Sequence, residues 1–183
     1  MTILQVFVPA ELIEDGQCPF PEIGEKARYT LIFEPASADT PAELRTEFTA
    51  RQENLAENLH LLHCDGFAAS YSGPLKLPPR VRGRLSAEFG ALVPSAAQVT
   101  GTVRSRRMVT VTSQPDASGR HPRNGTVTLA DVPAGRRGFD SGLVAGRSVW
   151  KNADGGGWVS MEPPHDRPWV REVGVLVGLD TDG

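Results

Sequence analysis

Alternating hydrophobic and polar positions recur along most of the chain and predict short β-strands. Valine, isoleucine, threonine and aromatic residues dominate the segments 2–8 and 27–33, and each segment ends close to a proline, Pro9 or Pro35. Proline has no backbone N–H and commonly marks the place where a strand stops. Further segments of the same character are 80–86, 98–112, 125–130, 143–150 and 170–179. The pattern therefore predicts a domain built mainly of strands.

One segment departs from this alternation and predicts a helix over residues 40–63. Thr40 is a suitable N-cap, Pro41 stands at the first helical position, and Glu43 follows three residues after the cap. Large apolar residues then recur at spacings of three, four and seven: Leu44, Phe48, Leu55, Leu59 and Leu62. Such spacings place side chains on one face of an α-helix, so this face is expected to pack in the core. The sequence CDG at 64–66 supplies the expected end of the helix.

Length and composition favour one domain with many turns. The 183 residues include 19 glycines and 15 prolines, which is more than a bundle of helices would tolerate. We therefore expect a single β-rich domain over residues 1–183 with a helical insertion near 40–63. Its fold class should be mainly β, with an α+β character: a partly open β-barrel of about six to eight strands with one packed helix.

Cysteine and arginine usage indicates the compartment and the source. Cys18 and Cys64 could form only one bridge, whereas disulfide frameworks normally use more pairs. No stretch approaches the roughly 18 consecutive apolar residues of a membrane span, and the first residues lack a basic leader. Arginine supplies 16 of the 19 basic residues, which is typical of a GC-rich bacterial genome. We expect a cytoplasmic bacterial protein with reduced thiols and no membrane contact.

Charge is distributed unevenly along the chain. Residues 1–65 carry a net charge of −8, residues 66–151 carry +9, and residues 152–183 carry −4. A basic block can bind nucleic acid, but acidic segments can also fold against it and neutralise it. We expect neutralisation within the molecule, and binding of nucleic acid is the alternative.

Five arginines of the basic block form the first candidate binding site. They recur at intervals of two within two predicted strands: Arg80, Arg82, Arg84, Arg104 and Arg106. Residues two apart on a strand face the same side, so each set should form part of a ridge, with Val81, Leu85, Val103 and Val109 turned inward. Such a ridge could bind a single-stranded nucleic acid. Binders of that class also use aromatic stacking platforms, and neither strand contains one, so a solvent-facing side of the sheet is the simpler interpretation.

The second candidate site is the sequence HLLHC at 60–64. On the predicted helix, His60, His63 and Cys64 could converge on a zinc ion, with Cys18 as a fourth ligand. The sequence lacks the Cys-x2-Cys pair typical of structural zinc sites. Histidine in a last helical turn also has the simpler role of donating to free carbonyl groups. We therefore expect the end of a helix and no cofactor, and the alternative is a zinc site or a thiol enzyme.

No other motif predicts catalysis. The chain has no serine elbow, phosphate-binding loop or dinucleotide fingerprint. Cys64 would lie at the carboxyl end of the predicted helix, where the helix dipole disfavours a thiolate. His121 and His165 are flanked by prolines and charged residues and are expected in exposed loops. The protein is therefore not expected to be an enzyme.

Three segments together resemble a known family: CPFPEIGEKARYTL at 18–31, VTGTVRSRRMVTV at 99–111 and REVGVLVGLD at 171–180. In order and rough spacing they resemble small uncharacterised actinobacterial proteins that share a β-rich domain of unknown function. The resemblance covers roughly a fifth of the chain, and the segment 36–98 departs from the family pattern. It implies a β-rich fold and brings no activity. The sequence thus predicts a non-enzymatic binding or scaffold module, possible partners being a protein or, as the alternative, nucleic acid.

Overall fold

A computed structural model describes residues 3–73, 76–90, 93–122, 125–139, 148–151, 157–160 and 164–182. In these residues the first half of the chain forms β1 (Ile3–Pro9), α1 (Ala10–Glu14), β2 (Lys26–Pro35), β3 (Thr46–Thr49), β4 (Arg51–Ala56), β5 (Leu59–His63) and β6 (Ala68–Ser72). The second half forms β7 (Arg80–Glu88), β8 (Gln98–Ser113), β9 (Thr126–Asp131), β10 (Ser148–Lys151), β11 (Gly157–Ser160) and β12 (Trp169–Asp180). Short 3₁₀ helices occupy Ala42–Leu44 and Ser95–Ala97. Ten of these strands join one sheet, and β10 pairs with β11 in a second.

Five strands of the large sheet close into a ring. Its order is β7, β1, β12, β8 and β2, and β2 returns to β7. Four of the five pairings are antiparallel, and the parallel one joins β1 to β7 at Phe7 and Ser86. A sheet closed in this way leaves its member strands with few unpaired edges.

A second ring shares β2 and β7 with the first. Strand β3 pairs with β7 and continues through Ala50 into β4, which pairs with β5. Strand β5 then pairs with β6, and β6 meets β2 in parallel at Ile32 and Ser70. The Ala50 N–H donates to the carbonyl oxygen of Pro79 at 2.8 Å, at the point where the chain passes from β3 to β4. One apolar core contains residues from both rings, among them Val6, Leu31, Phe33, Leu62, Tyr71, Leu85 and Val177.

The predicted fold class is confirmed: the protein is mainly β, with a partly closed ring of strands and a packed helix. Six of the predicted strands correspond to β1, β2, β7, β8, β9 and β12. Of the predicted strand 143–150, residues 148–150 lie in β10, and residues 143–147 lie outside the described residues. Val81, Leu85 and Val103 turn into the main core as predicted, whereas Val109 is buried in a second apolar cluster on the other face of the sheet, so its predicted inward orientation is wrong. Among the described residues, none of the helices has the length and apolar character that crossing a membrane requires.

The helix predicted over 40–63 is wrong. Only Ala42–Leu44 is helical there, as a single 3₁₀ turn, and β3, β4 and β5 follow it. Strands β4 and β5 are joined by a tight turn in which Asn58 has a φ of 59°, a backbone conformation that asparagine adopts more readily than most residues. The extra strands also make the sheet larger than predicted. The packed helix is instead α1, which follows β1 directly and contacts β12.

The side chains of this segment show why the helical spacing misleads. Leu62 is 1% exposed and lies in the core, whereas Leu55 is 43% exposed. On a helix these two residues, seven apart, would share one face. On the hairpin of β4 and β5 they belong to different strands, so their spacing along the chain does not relate their environments.

Replacing each leucine with alanine tests this arrangement. Leu62→Ala should lower the free energy of unfolding by about 2 to 5 kcal/mol, because it leaves a cavity in the core. Leu55→Ala should lower it by less than about 0.5 kcal/mol, because the side chain is largely in water. Urea denaturation of both variants measures the difference, and equal losses would contradict the hairpin.

Candidate functional site

A cleft of about 340 Å³ opens on the outside of the first ring, and we name it the β9 cleft. It lies between the loop 36–44 and the strands β8 and β9. Its lining residues are Phe7, Glu34, Pro35, Ser37, Asp39, Thr40, Pro41, Leu44, Arg84, Val109, Val111, Gly125, Val127 and Val173. The set combines an apolar floor with a polar edge, an arrangement typical of ligand sites.

The floor of the β9 cleft follows from strand alternation and register. Val109 and Val111 are two apart on β8, so they face the same side of the sheet. Directly opposite them on β9 are Leu129 and Val127, whose side chains therefore face that side too. Val109, Val127 and Leu129 form a second apolar cluster together with Phe7, Leu44, Val173 and Leu176, and Val111 lines the cleft beside them. The face of three neighbouring strands thus supplies a continuous apolar surface.

The polar edge is a charge pair held by further contacts. Glu34 and Arg84 are direct partners in the β2–β7 register. Arg84 donates to the Glu34 carboxylate from Nε at 2.8 Å and from Nη2 at 2.7 Å, and the Ser86 hydroxyl donates to the same oxygen at 2.9 Å. The Arg84 guanidinium also lies 5.0 Å from the centre of the Phe7 ring, within the range of a cation–π contact. The edge is therefore fixed before any ligand arrives.

The loop on the other side of the cleft is held in shape by its own side chains. Arg45 donates to the carbonyl oxygen of Thr40 from Nε at 2.8 Å, and it also reaches the carbonyl of Ser37. The Ser37 N–H donates to the Thr40 hydroxyl at 2.9 Å. Leu44 anchors the loop in the apolar cluster, while Asp39 remains exposed and has no ion-pair partner among the described residues. The loop therefore presents a carboxylate without an ion-pair partner beside the apolar floor.

The five predicted arginines do not form one ridge. In the first ring β7 and β8 are separated by β2 on one side and by β1 and β12 on the other. Arg80, Arg82 and Arg84 do occupy alternate, outward positions of β7, as predicted. Arg80 pairs with Glu47, Arg84 pairs with Glu34, and Arg104 donates to Asp180 at 2.8 and 3.0 Å. Of these five arginines, only Arg82 is exposed and has no acidic partner among the described residues.

Arg104 and Arg106 face opposite sides because the ladder between β8 and β12 has an irregularity between them. Leu179 pairs with Val103 and Gly178 pairs with Ser105, so Arg104 is an extra residue in β8. A β-bulge of this kind inverts the alternation beyond it. Arg106 is consequently 6% exposed.

The buried Arg106 binds backbone carbonyl groups. Its Nη1 donates to Pro21 at 2.8 Å and its Nη2 donates to Pro133 at 3.0 Å, and its guanidinium lies 5.8 Å from the centre of the Phe20 ring. These contacts join the segment before β2 to the segment after β9. The prediction that Arg106 contributes to a basic surface is therefore wrong, and its role is to hold two segments together.

The prediction that His60, His63 and Cys64 end a helix is wrong, because both histidines belong to a strand, and the alternative in which the three side chains converge on a metal ion is not what the strand geometry gives. The two histidines lie in β5, where residues three apart face opposite sides. His60 is fully buried, with its ring nitrogens 2.9 Å from the Asn54 side-chain oxygen and 3.2 Å from the Gly73 carbonyl oxygen. His63 pairs with Glu53 on the other face.

Cys64 and Cys18 complete the predicted ligand set, and neither joins the histidines. The Cys64 thiol contacts the carbonyl oxygen of Leu62 at 3.7 Å, and Cys18 lies between α1 and β2. Both thiols are free. No group of three or more histidine, cysteine and acidic side chains in the described part of the chain is placed to hold a metal ion.

His121 is not in the exposed environment predicted for it. Its Nδ1 lies 3.0 Å from the Ser113 hydroxyl, its Nε2 lies 2.6 Å from the carbonyl oxygen of Pro164, and its ring contacts Trp169 edge-on. Ser113 is 1% exposed, so a substrate cannot reach its hydroxyl. Through these contacts His121 joins the end of β8 to the segment before β12. His165 is exposed, as predicted.

Chemical modification tests the environment of the two thiols. Burial raises the pKa of Cys18 to about 11 and the pKa of Cys64 to about 12, so both thiols stay protonated at neutral pH. The thiolate is the reactive form, so iodoacetamide should modify the folded protein slowly at pH 8 and faster towards pH 11. Unfolding in guanidinium chloride should restore the ordinary rate. Cys18→Ser and Cys64→Ser variants assign each rate, and rapid reaction of either thiol at neutral pH in the folded protein would contradict its burial.

No protein-family model, curated protein or solved structure matches this chain. The resemblance to the actinobacterial family therefore stays a prediction. What the β9 cleft binds has to be inferred from its own residues.

Proposed function

We propose that the protein is a non-enzymatic binding module, bacterial and cytoplasmic, whose β9 cleft binds a ligand with an apolar body and a cationic end. The observation that carries this proposal is the apolar floor of the cleft, which lies beside the fixed pair of Glu34 and Arg84. Sites of this kind bury the body of a ligand on apolar side chains and orient it with a few polar groups. The volume of about 340 Å³ suits a small molecule or a few side chains of a partner.

The charges around the cleft favour a cationic end on the ligand. Arg84 is neutralised by Glu34, and the guanidinium of Arg45 is occupied by backbone carbonyl groups. Asp39 adds a negative charge that no described residue neutralises. Arg45 keeps its positive charge, but Asp39 and Glu43 are both exposed on the same loop and carry two negative charges, so the loop has a net negative charge and would attract a positive group on the ligand.

The polar groups of the cleft support binding better than catalysis. Within the described part of the chain, no histidine, cysteine or lysine lines it. The hydroxyl groups of Ser37 and Thr40 lie 3.2 Å apart and bond to each other. Covalent catalysis needs a nucleophile next to a base, and the lining residues contain no such pair.

The first prediction here concerns occupancy of the cleft. Hexylamine, which has an aliphatic chain and an ammonium group, should shift the methyl NMR signals of Val109, Val127 and Val173. Val127→Phe should fill the cleft and weaken this binding by about tenfold or more, because Val127 lines it. Hexanoate, with the same chain and a negative end, should bind more weakly than hexylamine.

The matched control for that variant is Thr128→Phe. Thr128 is the next residue of β9 and faces the other side of the sheet, so its replacement should leave hexylamine binding unchanged. If hexylamine shifts none of the three methyl signals, or if both phenylalanine variants behave alike, the proposed function is contradicted.

A second prediction concerns the nucleic-acid alternative. Affinity for single-stranded DNA should be weaker than about 10⁻⁵ M at physiological salt, the range of non-specific contact. The reason is that the arginines of β7 and β8 lie on separated strands and most are paired. Fluorescence anisotropy with a labelled oligonucleotide measures this affinity at several salt concentrations. Sub-micromolar binding of the oligonucleotide that is lost in the Arg82→Ala, Arg104→Ala double variant would support nucleic-acid binding as the function.

A further inference from the structure

Strand β9 has an open edge next to the β9 cleft. In the part of the chain that the structure describes, β9 pairs with β8 on one side and with no strand on the other. Two other strands of the large sheet, β3 and β4, also pair on one side only in that part of the chain. An open edge presents unpaired N–H and C=O groups that another strand can bind.

The three open edges differ in how they are protected. Strand β3 has only four residues, and β4 carries Arg51 and Glu53 within the sequence RQENLA. Short length and charged side chains are common protections against pairing with another chain. Strand β9 has the sequence TVTLAD, which contains no lysine, arginine or proline, and its pairing with β8 shows no bulge. Its β-branched residues favour an extended backbone, so β9 is the least protected of the three.

The pattern of hydrogen bonds identifies the backbone groups that are open. The Val132 N–H donates to the carbonyl oxygen of Arg106 at 3.3 Å, and the same register continues through all of β9. Residues of an antiparallel pair alternate between bonding to the partner strand and pointing away from it. The N–H and C=O groups of Val127 and Leu129 therefore point away from β8.

The side chains of these same two residues face the apolar floor of the cleft. Residues directly opposite each other in neighbouring strands project to the same side of a sheet. A strand added beside β9 would therefore place the side chains opposite Val127 and Leu129 over the β9 cleft. Its alternate side chains would lie on the other face, beside Thr126 and Thr128.

The charges near this edge favour a basic partner over a second copy of the chain. Asp39 and Glu43 are exposed on the loop that faces β9 across the cleft and outnumber the one basic residue there, Arg45, whereas Asp131 at the end of β9 has Arg107 directly opposite it. A second copy would bring the same acidic groups towards each other, which disfavours self-association. Lysine or arginine side chains on a partner would be attracted instead.

We propose that β9 binds an extended basic segment of a partner protein as an added strand. The segment has aliphatic residues at alternate positions, which enter the β9 cleft, and lysine or arginine residues further along the same alternate set, which face the cleft side of the sheet and meet the acidic loop. Backbone hydrogen bonds to Val127 and Leu129 supply affinity, and the cleft supplies specificity. This inference rests on the proposed function and names its ligand class.

Selection from a random peptide library displayed on phage tests the proposal, with the full-length chain as the target. The selected peptides should alternate aliphatic residues with other residues and contain two or more lysines or arginines. The strongest peptide is then synthesised with N-methyl groups on one alternate set of residues or on the other. Only every second N–H of an added strand bonds to β9. Methylation of the set that supplies these N–H groups should abolish binding, and methylation of the other set should leave binding nearly unchanged.

Two variants with the same net charge complete the test. Asp39→Lys should weaken binding of the selected peptide by about tenfold or more, because the change lies beside the cleft. Glu57→Lys changes the net charge equally but lies in the exposed turn between β4 and β5, so it should have little effect. Equal effects of the two variants, or equal effects of the two N-methyl sets, would overturn the proposal.

The remaining outcomes separate this inference from the proposed function. If no peptide is enriched while hexylamine still shifts the methyl signals of the cleft, the proposal of an added strand is overturned and the proposed function stands. If neither binds, both are overturned. A concentration-dependent dimer in sedimentation that Thr128→Lys dissociates would show that a second copy occupies the edge, and this would also overturn the proposal.

Discussion

The pairing of β2 with β7 is the constraint on which both rings depend. These two strands belong to each ring, and their register runs from Thr30 beside Glu88 to Pro35 beside Gly83. At Gly83 a Cβ atom would lie 2.2 Å from the carbonyl oxygen of Glu34 and 2.5 Å from a carbon of the Phe33 ring. Any other residue there would push the strands apart. The absence of a side chain at Gly83 therefore allows β2 and β7 to pair closely and to belong to both rings.

The same pairing also builds the polar edge of the β9 cleft. Because Glu34 and Arg84 are opposite each other in the β2–β7 register, their charge pair forms on the outer face one residue from Gly83. Arg84 then lies over Phe7, which belongs to the apolar floor. The shape of the fold and the shape of the cleft thus follow from one register. A change that shifted β2 against β7 would disturb both.

The sequence was sufficient to predict β1, β2, β7, β8, β9, β12 and part of β10, but it did not predict β3 to β6 or β11, nor which strands pair. Strands such as β2 and β8 were predictable because β-branched residues and alternation are local properties. The helix over 40–63 was mispredicted because apolar residues of β3, β4 and β5 coincide with helical spacing, and the turn at Asn58 leaves no hydrophobic signal. The inward position of Arg106 depends on a bulge at Arg104, which arises only when β8 pairs with β12. The β9 cleft was not predictable for the same reason, since Phe7, Arg84 and Val127 come from three distant segments.

The internal contacts of the cleft also bear on the cost of binding. Ligands pay for ordering loops and for breaking existing polar contacts, and a site formed in advance reduces both costs. Here Arg45 already holds the loop 36–44, and Arg84 already has its partner in Glu34. A cationic ligand can therefore meet Asp39 without displacing a protein side chain from that carboxylate. The open edge of β9 likewise has no partner in the described residues to displace. An edge that is left unprotected exposes a protein to unwanted pairing, and a preformed acidic cleft beside it restricts that pairing to segments with complementary charge.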